Sequence, residues 1–332
     1  MSYSSLEMRI LAFLQKDSDE SFEELLLEVF DFQRSANGAY TNYCREFPEP
    51  ETWSAIPAIP QSAFKHFPIR SFPEEETSHT FRTSGTTGEG FGEHHFRSLA
   101  LYEAAARKGW AGAGLPAKVH IALLPPASEA PHSSLSRMAG WLEPEYFFVR
   151  EGKLCSEELH AKLDSARAPL TLFGTALAFL HYFEWLQSRA HRLPAGSIAI
   201  ETGGYKGSGR EIAKADLYAL FEKHLGLSAS SVFNEYGMTE LSSQFYSRGL
   251  GTPHHCPPWA RALVIDPSTG REVEDNETGI LKIYDLANLG SACAILTQDL
   301  AIRRSNAFEL MGRDPAALPR GCSRSADEML RP

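Results

Sequence analysis

Apolar residues recur at helical spacing from the start of the chain. Leu6, Ile10, Phe13 and Leu14 share one face, and Phe22, Leu25, Leu26, Val29 and Phe30 share another, so residues 4–34 read as helices. Ser21 with Glu24 three residues on makes a capping box for the second. Ile56-Pro57-Ala58-Ile59-Pro60 breaks the helical pattern and starts an extended lead-in. Residues 99–110 return to helical spacing. Short apolar runs at 119–124, 146–149, 170–173, 197–200 and 231–233 read as buried strands. Helical segments at 176–189 and 210–225, the latter closed by Gly226, alternate with them. That alternation predicts an α/β fold, a largely parallel sheet flanked by helices. From Ala260 the spacing changes. Residues 262–265, 280–284 and 295–302 are strands joined by turns such as Asp266-Pro267-Ser268-Thr269-Gly270, which predicts a smaller antiparallel sheet or partial barrel. The expected division is a helical N-terminus and α/β core over 1–258, a β-rich subdomain over 259–313, and a tail over 314–332.

Charge and composition narrow the function. The 332 residues carry a net charge of −10 and are 43% hydrophobic, enough for a sizeable core. An acidic chain argues against nucleic acid or an anionic membrane as partner. No apolar run reaches membrane-spanning length, and the polar start, Met1 to Arg9, lacks the order of a signal peptide. Five scattered cysteines with no CxxC favour neither a disulfide framework nor a zinc site, and a cytoplasmic setting is expected.

The candidate chemistry begins at Arg82-Thr83-Ser84-Gly85-Thr86-Thr87-Gly88, followed by Glu89-Gly90-Phe91-Gly92. Glycines let backbone N–H groups approach phosphate oxygens, and the hydroxyls add donors. A Ser/Thr/Gly surface loop has the same composition. No Lys-Ser/Thr pair follows Gly88, so this is not a Walker loop, and the glycine spacing is wrong for a dinucleotide fingerprint. Gly203-Gly204 follows a strand directly and would let a flat ring approach, unless it is only a tight turn. In Tyr236-Gly237-Met238-Thr239-Glu240, Tyr236 offers a stacking face, Thr239 a hydroxyl, and Glu240 a hard oxygen ligand suited to Mg²⁺. Asp299, in Thr297-Gln298-Asp299-Leu300, suits two ribose hydroxyls, with Arg303, Arg304 and Arg313 as nearby cations; solvated surface charge is the plain alternative. Cys322 lies between Arg320 and Arg324, which would favour its thiolate, if it is not an incidental tail cysteine. A metal site at His254-His255-Cys256 is weaker, since adjacent ligands rarely share one ion.

Taken in order, these motifs resemble the adenylate-forming superfamily. Glu201-Thr202-Gly203-Gly204-Tyr205-Lys206-Gly207, Asn234 to Tyr246, Tyr284-Asp285-Leu286-Ala287-Asn288 and Arg320-Gly321-Cys322-Ser323 are similar to the acyl-protein synthetase family of bacterial bioluminescence (LuxE type). The lead-in, Ile56-Pro57 with Phe64-Lys65, is similar too, so the resemblance runs over nearly the whole chain. It implies ATP-dependent activation of a carboxylic acid, fatty or aryl, to an acyl-adenylate, then transfer to a thiol. Cys322 matches the acceptor cysteine, which in the family hands its acyl group to a reductase partner. Thr83, Ser84, Gly85, Thr86, Thr87 and Gly88 would hold the pyrophosphate part. Gly203, Gly204, Tyr236 and Gly237 would frame the adenine, Thr239 and Glu240 would serve phosphate and Mg²⁺, and Asp299 with Arg313 would hold the ribose.

There are departures. The Pro-Lys that normally ends the phosphate loop is missing, with Glu93-His94-His95 nearby instead. The sequence ends at Pro332, where larger members continue into a domain whose lysine assists adenylation, so that domain is expected to be absent. Lys206 or His95 would have to substitute. Thr297-Gln298-Asp299 replaces Thr-Gly-Asp but keeps the carboxylate. Two alternatives stand beside the main reading: a ligase delivering to coenzyme A or a carrier-protein thiol, and a non-catalytic nucleotide-binding partner of a reductase or biosynthetic complex.

Overall fold

The N-terminal stripes form the helices Tyr3–Gln15 and Phe22–Ala36. Leu6, Ile10 and Leu14 are buried in the first, and Phe22, Leu25, Leu26, Val29 and Phe30 in the second. Ser21 caps the second helix, its Oγ accepting from the Glu24 amide at 3.1 Å. These contacts come from a computed structural model, which describes residues 1–83, 91–203 and 212–313. Ser84, Gly85, Thr86, Thr87, Gly88, Gly204, Lys206 and Cys322 lie outside the described residues.

The chain folds as two units, which it enters more than once. The first comprises residues 1–109, 238–244 and 253 onward; the second comprises 110–237 and 245–252. In the first, the strands Ala260–Ile265, Thr278–Asp285, Ala294–Arg304 and Ala307–Arg313 pair antiparallel in order, and His254–His255 extends the row. Residues Ile59–Pro60 pair parallel with Ala294–Arg304. Proline suits that edge because it has no N–H to give a ladder. Tyr40 and Tyr43 donate their hydroxyls to the carbonyls of Pro57 and Ala58, fixing the lead-in against the helices.

In the second unit, Tyr146–Phe147, Ile121–Leu123, Thr171–Gly174, Ile198–Glu201 and Val232–Tyr236 run parallel in that order, and Phe245–Arg248 closes the row antiparallel. The helices Ala176–Leu186 and Lys214–Leu225 cover the sheet through Phe179, Phe183 and Phe221, all buried. Gly226 ends the second helix in the left-handed region, at φ 69°. The α/β class, with parallel strands and a smaller antiparallel sheet, is as expected.

Several boundaries differ from the sequence reading. The strand read at 231–233 continues to Tyr236, because Phe245–Arg248 pairs with it antiparallel as far as that residue. Glu93–Phe96 is a strand, antiparallel to His79–Arg82. Phe245–Arg248 and Ala307–Arg313 are strands that polar and glycine residues concealed.

Candidate functional site

Three side chains from distant parts of the first unit fasten the segment Thr239-Glu240. The His94 ring lies 2.7 Å through Nδ1 from the Thr239 carbonyl. Burial pushes this imidazole down to about 3, so it is neutral and Nδ1–H donates. Asn288 donates from Nδ2 to the Glu240 carbonyl at 2.8 Å. Gln61, on the turn that follows the proline lead-in, donates from Nε2 to the Glu240 carboxylate at 3.1 Å. Glu240 is buried, so its direction is set by these partners rather than by solvent.

Beneath them lies a second layer. The buried Asp285 carboxylate accepts from the amides of Ser242 and Ser243 at 3.0 and 2.9 Å, from the Ser243 hydroxyl at 2.7 Å, and from the Ala287 amide at 2.9 Å. The indole of Trp259 donates to the Ser243 hydroxyl at 3.0 Å. Asn288 also accepts from the Ser242 hydroxyl at 2.7 Å. Gln33 donates to the carbonyls of Asn288 and Leu289 at 2.9 and 3.0 Å. The Tyr284–Asn288 stretch that carried the family resemblance is thus the base on which Glu240 stands. Its role was not legible beforehand, because its bonds to Ser242, Ser243 and Glu240 join residues over 40 positions apart.

Thr83 is the described member of the glycine-rich loop's first half. Its amide donates to the Gly92 carbonyl at 2.9 Å, and its hydroxyl accepts from the Gly92 amide at 2.8 Å. Thr83 and Gly92 are therefore bonded to each other twice. Arg82 and Glu93 add an ion pair at 3.0 Å across the same pair of strands. A Cβ on Gly92 would lie 3.1 Å from the Thr83 side chain, a tight fit that would push on the threonine. His95 faces Thr80, with Nδ1 and Oγ1 3.1 Å apart, and burial lowers its pKa. Asp299 and Arg313 are directly opposed in the strand register, with Nε and Oδ1 3.9 Å apart. The Thr297 hydroxyl accepts from the Asp299 amide at 3.1 Å and donates to the Leu281 carbonyl at 2.8 Å, fixing the carboxylate's strand.

The second unit holds Gly203, Tyr236 and Gly237. Parallel pairing of Asn234 with Glu201 sets Gly203 and Tyr236 at the same level, Gly203 just past the end of its strand and Tyr236 the last residue of its own, at the carboxyl edge where open α/β sheets bind ligands. Buried Glu201 braces this edge. Its carboxylate accepts from the Gly203 amide at 2.8 Å and from Asn234 Nδ2 at 2.7 Å. Gly203 has φ 60°, which glycine tolerates without strain. Glu235, beside it, is buried with no donor among the described residues reaching its carboxyl group, and desolvation raises its pKa to about 8, with the Glu201 charge adding to the rise. The motif from Tyr236 to Glu240 is thus shared: Tyr236 and Gly237 belong to the second unit, Thr239 and Glu240 to the first.

The donor set at Glu240 fits a hard divalent cation. It offers a carboxylate, and beside it the Gln61 Oε1 is buried and has no hydrogen-bond partner. The His254 ring instead stacks on Phe308, 5.3 Å between centroids, so it is a packing residue.

Comparison with known proteins places this arrangement. No family model matches the sequence. The chain is similar to the long-chain-fatty-acid–luciferin-component ligase of Aliivibrio fischeri, 23% identical over 325 residues, which span 90% of this chain and 85% of that protein. Among solved structures it is similar to 2-hydroxyisobutyryl-CoA ligase in complex with 2-HIB-AMP and CoA, with a TM-score of 0.65 and 14% identity over 89% of this chain and 74% of the other. ATP-bound MatB from Rhodopseudomonas palustris matches with a TM-score of 0.51 and 16% identity, covering 73% of this chain and 49% of that one. The resemblance carried by the motifs extends along nearly the whole chain, which is similar to a long-chain-fatty-acid–luciferin-component ligase and has the fold of 2-hydroxyisobutyryl-CoA ligase.

Proposed function

We propose that the protein is an AMP-forming acid–thiol ligase. It activates a fatty or aryl carboxylic acid with ATP and passes the acyl group to a thiol, with Cys322 as the acceptor. The observation that carries this reading is the fastening of Glu240, whose carbonyl, carboxylate and preceding residue are each held by a separate side chain. A carboxylate held this rigidly suits a site that must pre-exist its ligand.

In the first step a substrate carboxylate oxygen attacks the α-phosphorus of ATP, and pyrophosphate leaves. Mg²⁺ held at Glu240 would neutralise charge on the departing phosphate oxygens. The loop from Thr83 to Gly88 supplies backbone and hydroxyl donors to the same oxygens. Gly203, Gly204, Tyr236 and Gly237 frame the adenine, and Asp299 with Arg313 holds the ribose. Orientation in line is most of what the protein contributes. In the second step a thiolate attacks the acyl carbon, the thioester forms and AMP leaves. Lys206 is assigned to the phosphates in place of the missing loop lysine. His95, bonded to Thr80 and neutral, is less suited. The acyl group then passes to a reductase. Among the described residues no helix is long and apolar enough to cross a membrane, in keeping with a cytoplasmic setting.

The test is intact-protein mass after incubation with ATP, Mg²⁺ and a panel of acids, alongside Cys322→Ser. The expected result is a hydroxylamine-labile adduct on the wild type that the mutant lacks. Pyrophosphate release without an adduct would transfer the acceptor role to coenzyme A or a carrier-protein thiol. That second reading draws on the likeness to a ligase solved with CoA. A folded protein giving neither signal would be the non-catalytic nucleotide-binding partner.

A further inference from the structure

Gln61 is 8% exposed and sits where the proline lead-in turns into the short helix Gln61–Lys65. Its position is fixed from both sides. Ile59 and Pro60 are paired with Ile295 and Leu296, and Phe64, three residues on, packs edge-to-face against His94 at 5.5 Å. The amide is thus delivered to Glu240 by backbone and packing, with little freedom to move away. Half of it is satisfied, since Nε2 donates to the Glu240 carboxylate. The other half is not: Oε1 is sealed from solvent and accepts nothing. Rotating the amide would bring two oxygens together and leave Nε2 without its acceptor, so the donor-to-carboxylate orientation is the one the chemistry selects. A buried acceptor left open in an otherwise complete network calls for a ligand.

The open atom is a hard, neutral carbonyl oxygen on the same amide that is bonded to the carboxylate. Mg²⁺ prefers such oxygens and keeps several of its waters while bound to phosphates. We propose that Gln61 is a second protein contact of the Mg²⁺–nucleotide, its Oε1 meeting the cation or one of its waters while its Nε2 holds the Glu240 carboxylate in place. This rests on the proposed role of Glu240. Gln61 would then do two jobs with one side chain, and the unpaired oxygen is its state before ligand arrives.

The experiment measures ATP affinity of the full chain with and without Mn²⁺, a paramagnetic stand-in for Mg²⁺, together with Mn²⁺ binding by electron paramagnetic resonance. Gln61→Met keeps the shape and removes both polar atoms. It is expected to weaken Mn²⁺-dependent ATP binding by at least about tenfold, with metal-free ATP binding within about twofold, since that part contacts other residues. Gln61→Glu puts a second carboxylate beside Glu240. It is expected to lower the melting temperature without metal and to regain it when Mn²⁺ and ATP are added. A purely structural Gln61 would make the Glu variant as poor a metal binder as the Met variant. If Glu240→Gln abolishes the Mn²⁺ effect and Gln61→Met does not, this proposal fails and the Glu240 assignment stands. If Glu240→Gln leaves the effect intact, or the wild type shows none, the metal site itself is wrong.

Discussion

Asp285 and Glu235 are both carboxyl groups removed from water, one in each unit, and they have opposite surroundings. Asp285 is met by four donors. Burial raises its pKa to about 6, with the hydrogen bonds opposing the rise, so it is charged at neutral pH. Glu235 has no donor among the described residues, and burial with the neighbouring Glu201 lifts it to about 8, so at neutral pH it is mostly protonated. Burial disfavours charge in both cases. What separates them is the number of donors built around each, and that number follows use: Asp285 organises the base under Glu240, and Glu235 fills space next to a carboxylate that does the bracing.

The largest break in this comparison is Asp285→Ala. Two serine-segment amides, a hydroxyl and the Ala287 amide would lose their acceptor together. A destabilisation of roughly 3–5 kcal/mol is expected in urea unfolding, and pyrophosphate release per folded molecule should fall with it. Unchanged turnover in the surviving folded fraction would show that the base does not position Glu240.

Glu235→Gln sharpens the other half. The folded pKa of about 8 lies above the unfolded value of 4.5, so the folded state holds an extra proton between those limits. Stability from this group is therefore complete below pH 4.5 and lost as pH rises toward 8. Wild type should lose roughly 1–3 kcal/mol between pH 5 and 8 from this source, and the glutamine variant should not. Parallel pH profiles for the two proteins would mean that Glu235 is ionised in the fold.

Smaller changes calibrate the donors one at a time. Trp259→Phe removes one hydrogen bond from the Ser243 hydroxyl and should cost about 1 kcal/mol. Tyr218→Phe removes a long 3.4 Å contact to Glu201 and should cost about 0.5 kcal/mol or less. A reversed order would mean that Glu201 depends on Tyr218 more than its geometry implies. Both are read from thermal or urea midpoints at pH 7.

The fold was largely legible in the sequence because parallel strands are local apolar runs and the covering helices repeat with their own period. The strands Glu93–Phe96, Phe245–Arg248 and Ala307–Arg313 escaped because histidine, serine, arginine and glycine interrupt any simple alternation. Glu240, Tyr236, Asp299 and Arg313 stood out through their motifs. Gln61 did not, and His94 and Asn288 were named only within their motifs and not for the bonds they make, because a side chain holding a distant group has no signature until the fold brings the two together. Asn288 lies 48 positions from Glu240, His94 145 positions from Thr239, and Gln61 179 positions from Glu240. No periodicity spans such distances.

Gln33 has a consequence for how the molecule is made. It lies in the second helix and bonds Asn288, Leu289 and Cys293, which come 255 to 260 residues later. At ribosomal speeds of about 5–20 residues per second, that is a delay on the order of tens of seconds. During it, the apolar faces of Tyr3–Gln15 and Phe22–Ala36 wait for strands not yet synthesised, while residues 110–252 already contain everything the second unit needs. The later strands thus complete the packing of the earlier helices, whose contacts through Gln33 form only once those strands exist.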